Sequence, residues 1–358
     1  MTPENYISYF RPDIDAMEGY APGEQLNVPE LIKLNTNENP YPPSPRVADA
    51  LRAAADAAAD LRLYPDPNAT ALRRRLGEIH GVDPDRIFVG NGSDEVLRLV
   101  VRAFTQDGGR AAMFDPTYSL YPVLCAAEEI AVSQVPLASD FSWRDPLPLL
   151  PPDASLFFLT NPNAPTGVLY PDADVEAFAR AFPGVLLIDE AYADFADAET
   201  SGVRLAAALP NVLACRTFSK SWSLAGLRCG YAIGAPELIG ALYKLKDSYN
   251  NDRLAQAIAL AALSDVPWML ENARRIRATR ERVAAALRAR GFAVVPSQTN
   301  FLFVRPPAPD TAAALFARLR EHKILVRHFP ASPLTAPYLR VSIGTDAQMD
   351  AFLQVTLP

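Results

Sequence analysis

The chain has 358 residues, more than one hydrophobic core usually fills, so two domains are expected. Hydrophobic residues make up 49% and charged residues 21%, with a formal charge of −7. That balance suits a globular protein and argues against nucleic-acid binding through a broad basic field. An anionic ligand would then have to be held by a few placed arginines or backbone amides.

Three cysteines, Cys125, Cys215 and Cys229, lack CxxC spacing and are joined by only three histidines. Neither a disulfide framework nor a metal site is expected from them. The opening MTPENYISYFRPDID carries acids and no apolar h-region, so it does not read as a signal peptide. No stretch approaches the roughly 18 apolar residues of a membrane span. A cytoplasmic location without membrane or nucleic-acid partners is expected.

In chain order, residues 1–45 read as an extended arm with turns, because Pro40, Pro42, Pro43 and Pro45 exclude a helix interior from LNTNENPYPPSP. Amphipathic helices are expected at about 46–59 and 69–79, around the turn YPDP. From 86 to 234 short apolar runs alternate with helical or turn-rich segments: RIFVG, AAMF, IAVSQV, LFFLT, VLLID, VLACR and CGYAIG. Such unalternated runs suit strands buried on both faces of a mostly parallel sheet. The expected class is α/β, a mostly parallel sheet with flanking helices.

Beyond residue 255 the texture changes. A long helix is expected at 265–290 with Met269, Ala273, Ile276, Val283 and Leu287 on one face, interrupted by Arg280. FAVV, FLFV, a helix near 310–321, ILVR, YLRVSI and a last helix then suggest a smaller α+β domain. The expected division is an arm at 1–30, a large domain at 31–255 and a small one at 256–358.

Several residues at the ends of the apolar runs invite chemistry. Lys220 follows VLACR at a strand's C-terminal edge, where ligands of open α/β sheets bind. A lysine desolvated there can act as a nucleophile, although alone it would read as an exposed loop residue. Asp189 ends VLLID, and a buried carboxylate needs either a helix to cap or a cationic partner such as a pyridinium nitrogen. Tyr192 follows three residues on.

Asn161 sits in NPNAPTG, either as part of a rigid turn or as a donor to a phenolic oxygen. VGNGSDEVLRLVVRAF reads as strand, glycine turn and helix, with Ser93 as N-cap, and a helix N-terminus can bind phosphate. Ser219 and Arg228 flank Lys220 and suit the same phosphate. Tyr118 in DPTYSLY and Tyr64 in LYPDP can stack on a ligand ring or simply pack.

Taken together and in order, LNTNENPYPPSP, LYPDP, GNGSDE, DPTYSLY, NPNAPTG, IDEAY, FSKSWSLAGLRCGY and LRVSIGT resemble class I/II aminotransferases of pyridoxal-phosphate fold type I. The AGLR tail and NENPY opening bring the chain nearest the histidinol-phosphate aminotransferase family. The resemblance covers nearly the whole chain and implies pyridoxal 5′-phosphate (PLP) as cofactor. It implies Lys220 as the lysine that bonds PLP, Asp189 at the pyridine nitrogen, and Asn161 and Tyr192 at the phenolic oxygen. Tyr118 would stack on the ring, with Gly92, Ser93, Asp94, Ser219 and Arg228 around the phosphate.

Tyr64 matches a residue that reaches the neighbouring subunit's cofactor phosphate, which implies a homodimer with shared sites. Arg340 matches the arginine that holds the substrate's anionic group, and Arg327 and Tyr20 match further substrate-end positions. The implied substrates are histidinol phosphate and 2-oxoglutarate. Where the family reads close to YNVN, this chain has Tyr249-Asn250-Asn251-Asp252, and Asp252 bears on side-chain specificity unless it caps the following helix. The rival readings are an aromatic amino-acid aminotransferase, a PLP-dependent decarboxylase of an amino-acid phosphate and a PLP-binding regulator. The last would need a DNA-binding module that this N-terminus does not offer.

Overall fold

The computed structural model describes residues 9, 11–105, 108–197, 200 and 202–356, so part of the expected 1–30 arm lies outside the described residues. Its strands in chain order are β1 (Ile32–Lys33), β2 (Ile87–Gly90), β3 (Arg110–Asp115), β4 (Ala131–Pro136), β5 (Ala154–Thr160), β6 (Val185–Asp189), β7 (Val212–Thr217), β8 (Gly230–Gly234), β9 (Ala293–Val294), β10 (Phe301–Arg305), β11 (Ile324–Leu325), β12 (Arg327–His328) and β13 (Leu339–Ser342).

The apolar runs between 86 and 234 form one seven-stranded sheet in the order β2-β8-β7-β6-β5-β3-β4. All its strands run parallel except β8, which is antiparallel to both neighbours. The reversal has a local cause. Only a 3-10 turn, Ala225–Leu227, separates β7 from β8, and a parallel return normally needs a helical crossover.

The sheet is buried on both faces, and its side chains divide by strand parity. Phe157, Leu159, Leu186, Ile188, Val212 and Ala214 join the core under helices Thr70–His80, Asp172–Ala181 and Arg253–Leu263. Leu156, Phe158, Leu187, Leu213 and Cys215 point the other way, against helices Ser93–Phe104, Leu120–Ala127 and Pro236–Leu245. This is the double covering that continuous apolar strands require.

A second core lies around the antiparallel sheet β12-β13-β10-β9 and helices Val266–Ala289, Ala312–Glu321 and Asp346–Thr356. Leu34 and Tyr41 from the N-terminal segment are buried in it, and β1 pairs in parallel with β11. Arg280 lies on the buried face of its helix and is fully buried. It donates to the carbonyls of Phe195 and Thr299 and pairs with Asp197 at 3.1 Å, so its charge is partnered.

One helix end and one helix start differ from expectation. Helix Pro45–Asp56 gives way to a 3-10 turn at Ala58–Arg62. Gly92, not Ser93, is the N-cap of Ser93–Phe104, because the chain enters that helix at φ +81, where glycine is favoured.

Candidate active site

β2, β3, β5, β6 and β7 run the same way, so their C-terminal ends open onto one edge of the sheet. The loops that leave that edge, with β8's entry, enclose a cleft of about 220 Å³. Every expected site residue lines it except Gly92, Asn161 and Tyr64. Lys220, Asp189, Tyr192, Tyr118, Ser93, Asp94, Ser219, Arg228, Arg340, Arg327 and Tyr20 are therefore brought together from distant parts of the chain.

Asp189 closes β6, opposite Thr160 at the end of β5. It is buried, yet its carboxylate accepts from the Tyr121 hydroxyl at 2.8 Å and from the Ala191 amide at 3.0 Å. Burial raises its pKa from 3.8 to about 6, against the lowering effect of these hydrogen bonds. Tyr121 in turn contacts the Thr160 hydroxyl at 2.7 Å, which fixes its ring below the cleft. It explains the acid's orientation and had no role in the sequence reading. The signal was present in DPTYSLY, whose second tyrosine follows Tyr118 by three residues.

Tyr192 turns its hydroxyl toward Asn37, which donates to it at 2.9 Å. Asn37 is held by Ser342 and by Asn300, whose amide donates to the Asn37 carbonyl. Lys220 Nζ donates to the Thr36 carbonyl at 3.2 Å and lies 5.8 Å from the centre of the Tyr192 ring. Asn39 donates to the carbonyls of Lys220 and Ser221. Sequence reading took LNTNENP as an extended arm and as part of the family resemblance, and gave its asparagines no role in the site. Its asparagines are the detectable sign, since a left-handed backbone such as Asn37's φ of +56 favours asparagine in turns.

At the other end, Ser93, Asp94, Ser219 and Arg228 converge near the N-terminus of helix Ser93–Phe104. Arg228 pairs with Asp94 at 3.1 Å, so the carboxylate at this anion corner already has a guanidinium partner. A side chain at Gly92 would stand 2.5 Å from Arg228 Nη2, and one at Gly230 would stand 2.4 Å from the Ser93 amide. Those glycines let arginine and helix terminus approach. Ser219 is braced by Thr217, whose hydroxyl donates to it at 3.0 Å.

Asn161 is buried behind the cleft. Its Oδ1 accepts from the Tyr170 amide at 2.8 Å, but Nδ2 has no hydrogen-bond partner. An unpaired buried donor costs about 1–3 kcal/mol, which marks it as a group awaiting an acceptor.

The remaining wall carries cations and rings. Arg340 donates from Nη2 to the Asn35 carbonyl at 3.0 Å and lies over Phe301 and Phe329, while Nε is unpaired. Among the described residues its partners are this carbonyl and the two rings, with no carboxylate among them, and burial lowers its pKa. Arg327 donates to the carbonyls of Ala21 and Pro22, which positions the segment carrying Tyr20. Tyr20 meets Tyr118 edge-on at 6.1 Å.

Tyr64 lies outside this cleft. It is 76% exposed and stacks on Tyr249 at 4.3 Å. Asp252 also stands apart: it caps helix Arg253–Leu263, accepting from the Ala255 amide at 2.8 Å.

A mostly parallel sheet with a lysine, an acid and an anion corner at its carboxyl edge, beside a small antiparallel sheet, defines an aminotransferase fold. The family model for aminotransferases of class I and II matches residues 29–355, and the chain belongs to that family. It is 47% identical to histidinol-phosphate aminotransferase 2 of Thiobacillus denitrificans, over 96% of each chain. It is 46% identical to the histidinol-phosphate aminotransferase of Citrifermentans bemidjiense, over 95% of each. A solved histidinol-phosphate aminotransferase from Sinorhizobium meliloti, in complex with pyridoxal-5′-phosphate, superposes with a TM-score of 0.85 at 30% identity. That superposition covers 98% of this chain and 97% of the other. Among the described residues no helix is long and apolar enough to cross a membrane.

Proposed function

We propose that this aminotransferase uses PLP to exchange the amino group of histidinol phosphate with 2-oxoglutarate. The observation that carries the substrate is Arg340, a guanidinium in the cleft wall with an unpaired Nε and no ion-pair partner among the described residues. A planar guanidinium suits both a phosphate and a carboxylate, so one residue serves both substrates. Arg327 and Tyr20 complete that end. The names and full-length similarity of the curated relatives support the same choice.

The cofactor reading rests on fit. Asn161 Nδ2 is an unpaired donor, and Gly92 and Gly230 leave an anion corner that a Cβ would fill. Asp189 would hold the pyridine nitrogen, Asn161 and Tyr192 the phenolic oxygen, and Tyr118 the ring face. Ser93, Ser219, Arg228 and the backbone amides of Gly92 and Asp94 would hold the phosphate. Bound PLP would supply an electron sink for negative charge at the substrate's α-carbon.

The chain's own residues do the rest. Asp189, as a carboxylate, favours a protonated ring nitrogen. Lys220, once free, is the base that takes the α-proton, and Tyr192, polarised by Asn37, steadies the neighbouring oxygen. Arg340 anchors the far end so that the α-carbon is presented to Lys220. Tyr64 belongs to a site shared with a second copy of the chain. The cytoplasm, where such biosynthetic chemistry proceeds, is the proposed location. Residues 31–255 and 256–358 are proposed as the large and small domains.

A half-reaction screen tests the reading. Histidinol phosphate should convert the bound cofactor to its amino form faster than phenylalanine or threonine phosphate. Preference for phenylalanine would indicate an aromatic aminotransferase, and release of carbon dioxide a decarboxylase.

A further inference from the structure

Behind Lys220 lies a buried ionic cluster that the reaction does not touch directly. Arg216, on β7, pairs with Glu190 at 2.8 Å and with Asp194 at 3.2 Å. Glu190 is completely buried and also accepts from the Gly202 amide at 2.8 Å. Asp194 divides its carboxylate: Oδ1 faces Arg216, while Oδ2 accepts a hydrogen bond from the Ser221 hydroxyl. Ser221 is 2% exposed and is the residue directly after Lys220.

We infer that Asp194 is a positioning residue for Lys220, acting through Ser221. The inference rests on the reading of Lys220 as the lysine that bonds the cofactor. Asp194 follows Asp189 and Tyr192 on the loop leaving β6, whereas Ser221 belongs to the loop leaving β7. One carboxylate thus ties the loop of the ring-nitrogen acid to the loop of the lysine. Asn39 also donates to the carbonyls of both Lys220 and Ser221, at 3.2 and 3.1 Å. Two side chains from distant segments therefore hold this stretch, Asn39 by its backbone and Asp194 by the Ser221 hydroxyl.

An ion cluster is a poor choice if stability alone is at issue. Buried ion pairs contribute little over well-packed apolar residues, because desolvation cancels much of the attraction. Direction is what they add. Lys220 has to take a proton at the substrate's α-carbon and return it, and its Nζ repeats that movement reliably when its backbone stays fixed. A displacement of about 1 Å in such a site can cost on the order of 100-fold in rate.

The test uses the PLP-loaded enzyme with Ser221→Ala and Asp194→Asn. Three quantities are measured: kcat and KM for histidinol phosphate, the share of bound cofactor that borohydride fixes onto Lys220, and the melting temperature. Each variant is expected to lower kcat about 10- to 100-fold, with KM within about twofold, because the substrate anchors are untouched. The borohydride-fixed share should fall as well. A Ser221→Ala enzyme that keeps both its kcat and its fixed share would overturn the inference, even if Asp194→Asn fails to fold. Lys220→Ala separates the two levels. Fixation that persists at the same site in Lys220→Ala would refute the reading of Lys220 itself; its loss there, with Ser221→Ala unaffected, would refute only the positioning role.

Discussion

Asn37 donates its side-chain amide to the Tyr192 hydroxyl at 2.9 Å, joining the segment before β2 to the loop after β6. Asn37 is buried with φ +56, and its carbonyl and side chain are both occupied by residues of the small sheet or its approach. Asn37→Ala should therefore carry two costs: lost hydrogen bonds, about 1–3 kcal/mol, and a left-handed backbone strain of about 1 kcal/mol. Asn37→Gly should carry only the first. Urea unfolding of the two variants measures the difference, and equal stability would show that the conformation is not strained for alanine.

The burial of Asp189 predicts a pH dependence in the cofactor-free protein. Its folded pKa, about 6, lies above the ordinary 3.8. The folded state then holds a proton that the unfolded state releases, so the contribution is full below about 3.8 and is lost as pH rises through 6. The gap corresponds to roughly 3 kcal/mol. Asp189→Asn should flatten this part of the stability profile between pH 4 and 7, measured by urea unfolding. A profile as steep as that of the unsubstituted protein would assign the effect to another group.

The expected strands of the large sheet were readable because strands buried on both faces leave continuous apolar runs, and their ends pointed to Asp189, Asn161 and Lys220. β8's direction was not, since CGYAIG reads the same in either sense and orientation is set by the connection. The partners of the site residues were hidden for another reason. Tyr121, Asn37, Asn39 and Asp194 act through contacts 68, 155, 181 and 27 residues apart along the chain, so a local motif can mark the residue but not its partner. Arg280 is the opposite case: the sequence marked it as an interruption of an apolar face. Only its distant partners, the carbonyls of Phe195 and Thr299 and the Asp197 carboxylate, explain why it is tolerated there.

Arg340 supplies a prediction about the substrate's anionic end. Arg340→Ala should lower kcat/KM for histidinol phosphate by about 10- to 100-fold, mainly through KM, since a charge-assisted pair is worth about 1.5–3 kcal/mol. Arg340→Lys should recover only part, because an ammonium cannot reproduce the planar fork over Phe301 and Phe329. Steady-state kinetics decide. Full activity in Arg340→Lys would mean that a point charge suffices and that the fork geometry is immaterial.

Tyr64 tests the shared site. Its ring is exposed, stacked on Tyr249 and absent from its own chain's cleft, as the proposed role across subunits requires. Tyr64→Ala and Lys220→Ala should each be nearly inactive as pure proteins. Co-expressed, they should form mixed dimers in which one site is intact, and activity should reappear. If mixing restores nothing while light scattering shows that mixed dimers form, Tyr64 does not act across subunits.

Asp252 is the acid that departs from the family pattern, and its geometry assigns it to the helix, not to the substrate. Its carboxylate accepts from the Ala255 amide at 2.8 Å, with its own backbone extended at φ −70 and ψ 165, as an N-cap requires. It does not line the cleft with Arg340 and Lys220. Asp252→Ala should therefore cost about 1 kcal/mol of stability, the usual value of such a cap. Asp252→Ser, which restores an oxygen acceptor at the same position, should recover most of it. In both variants the ratio of kcat/KM for histidinol phosphate to that for phenylalanine should stay as it is. A shift in that ratio, with the stability of Asp252→Ser intact, would mean that the carboxylate is felt by the substrate after all, for its capping role would then be preserved while its charge alone had been removed.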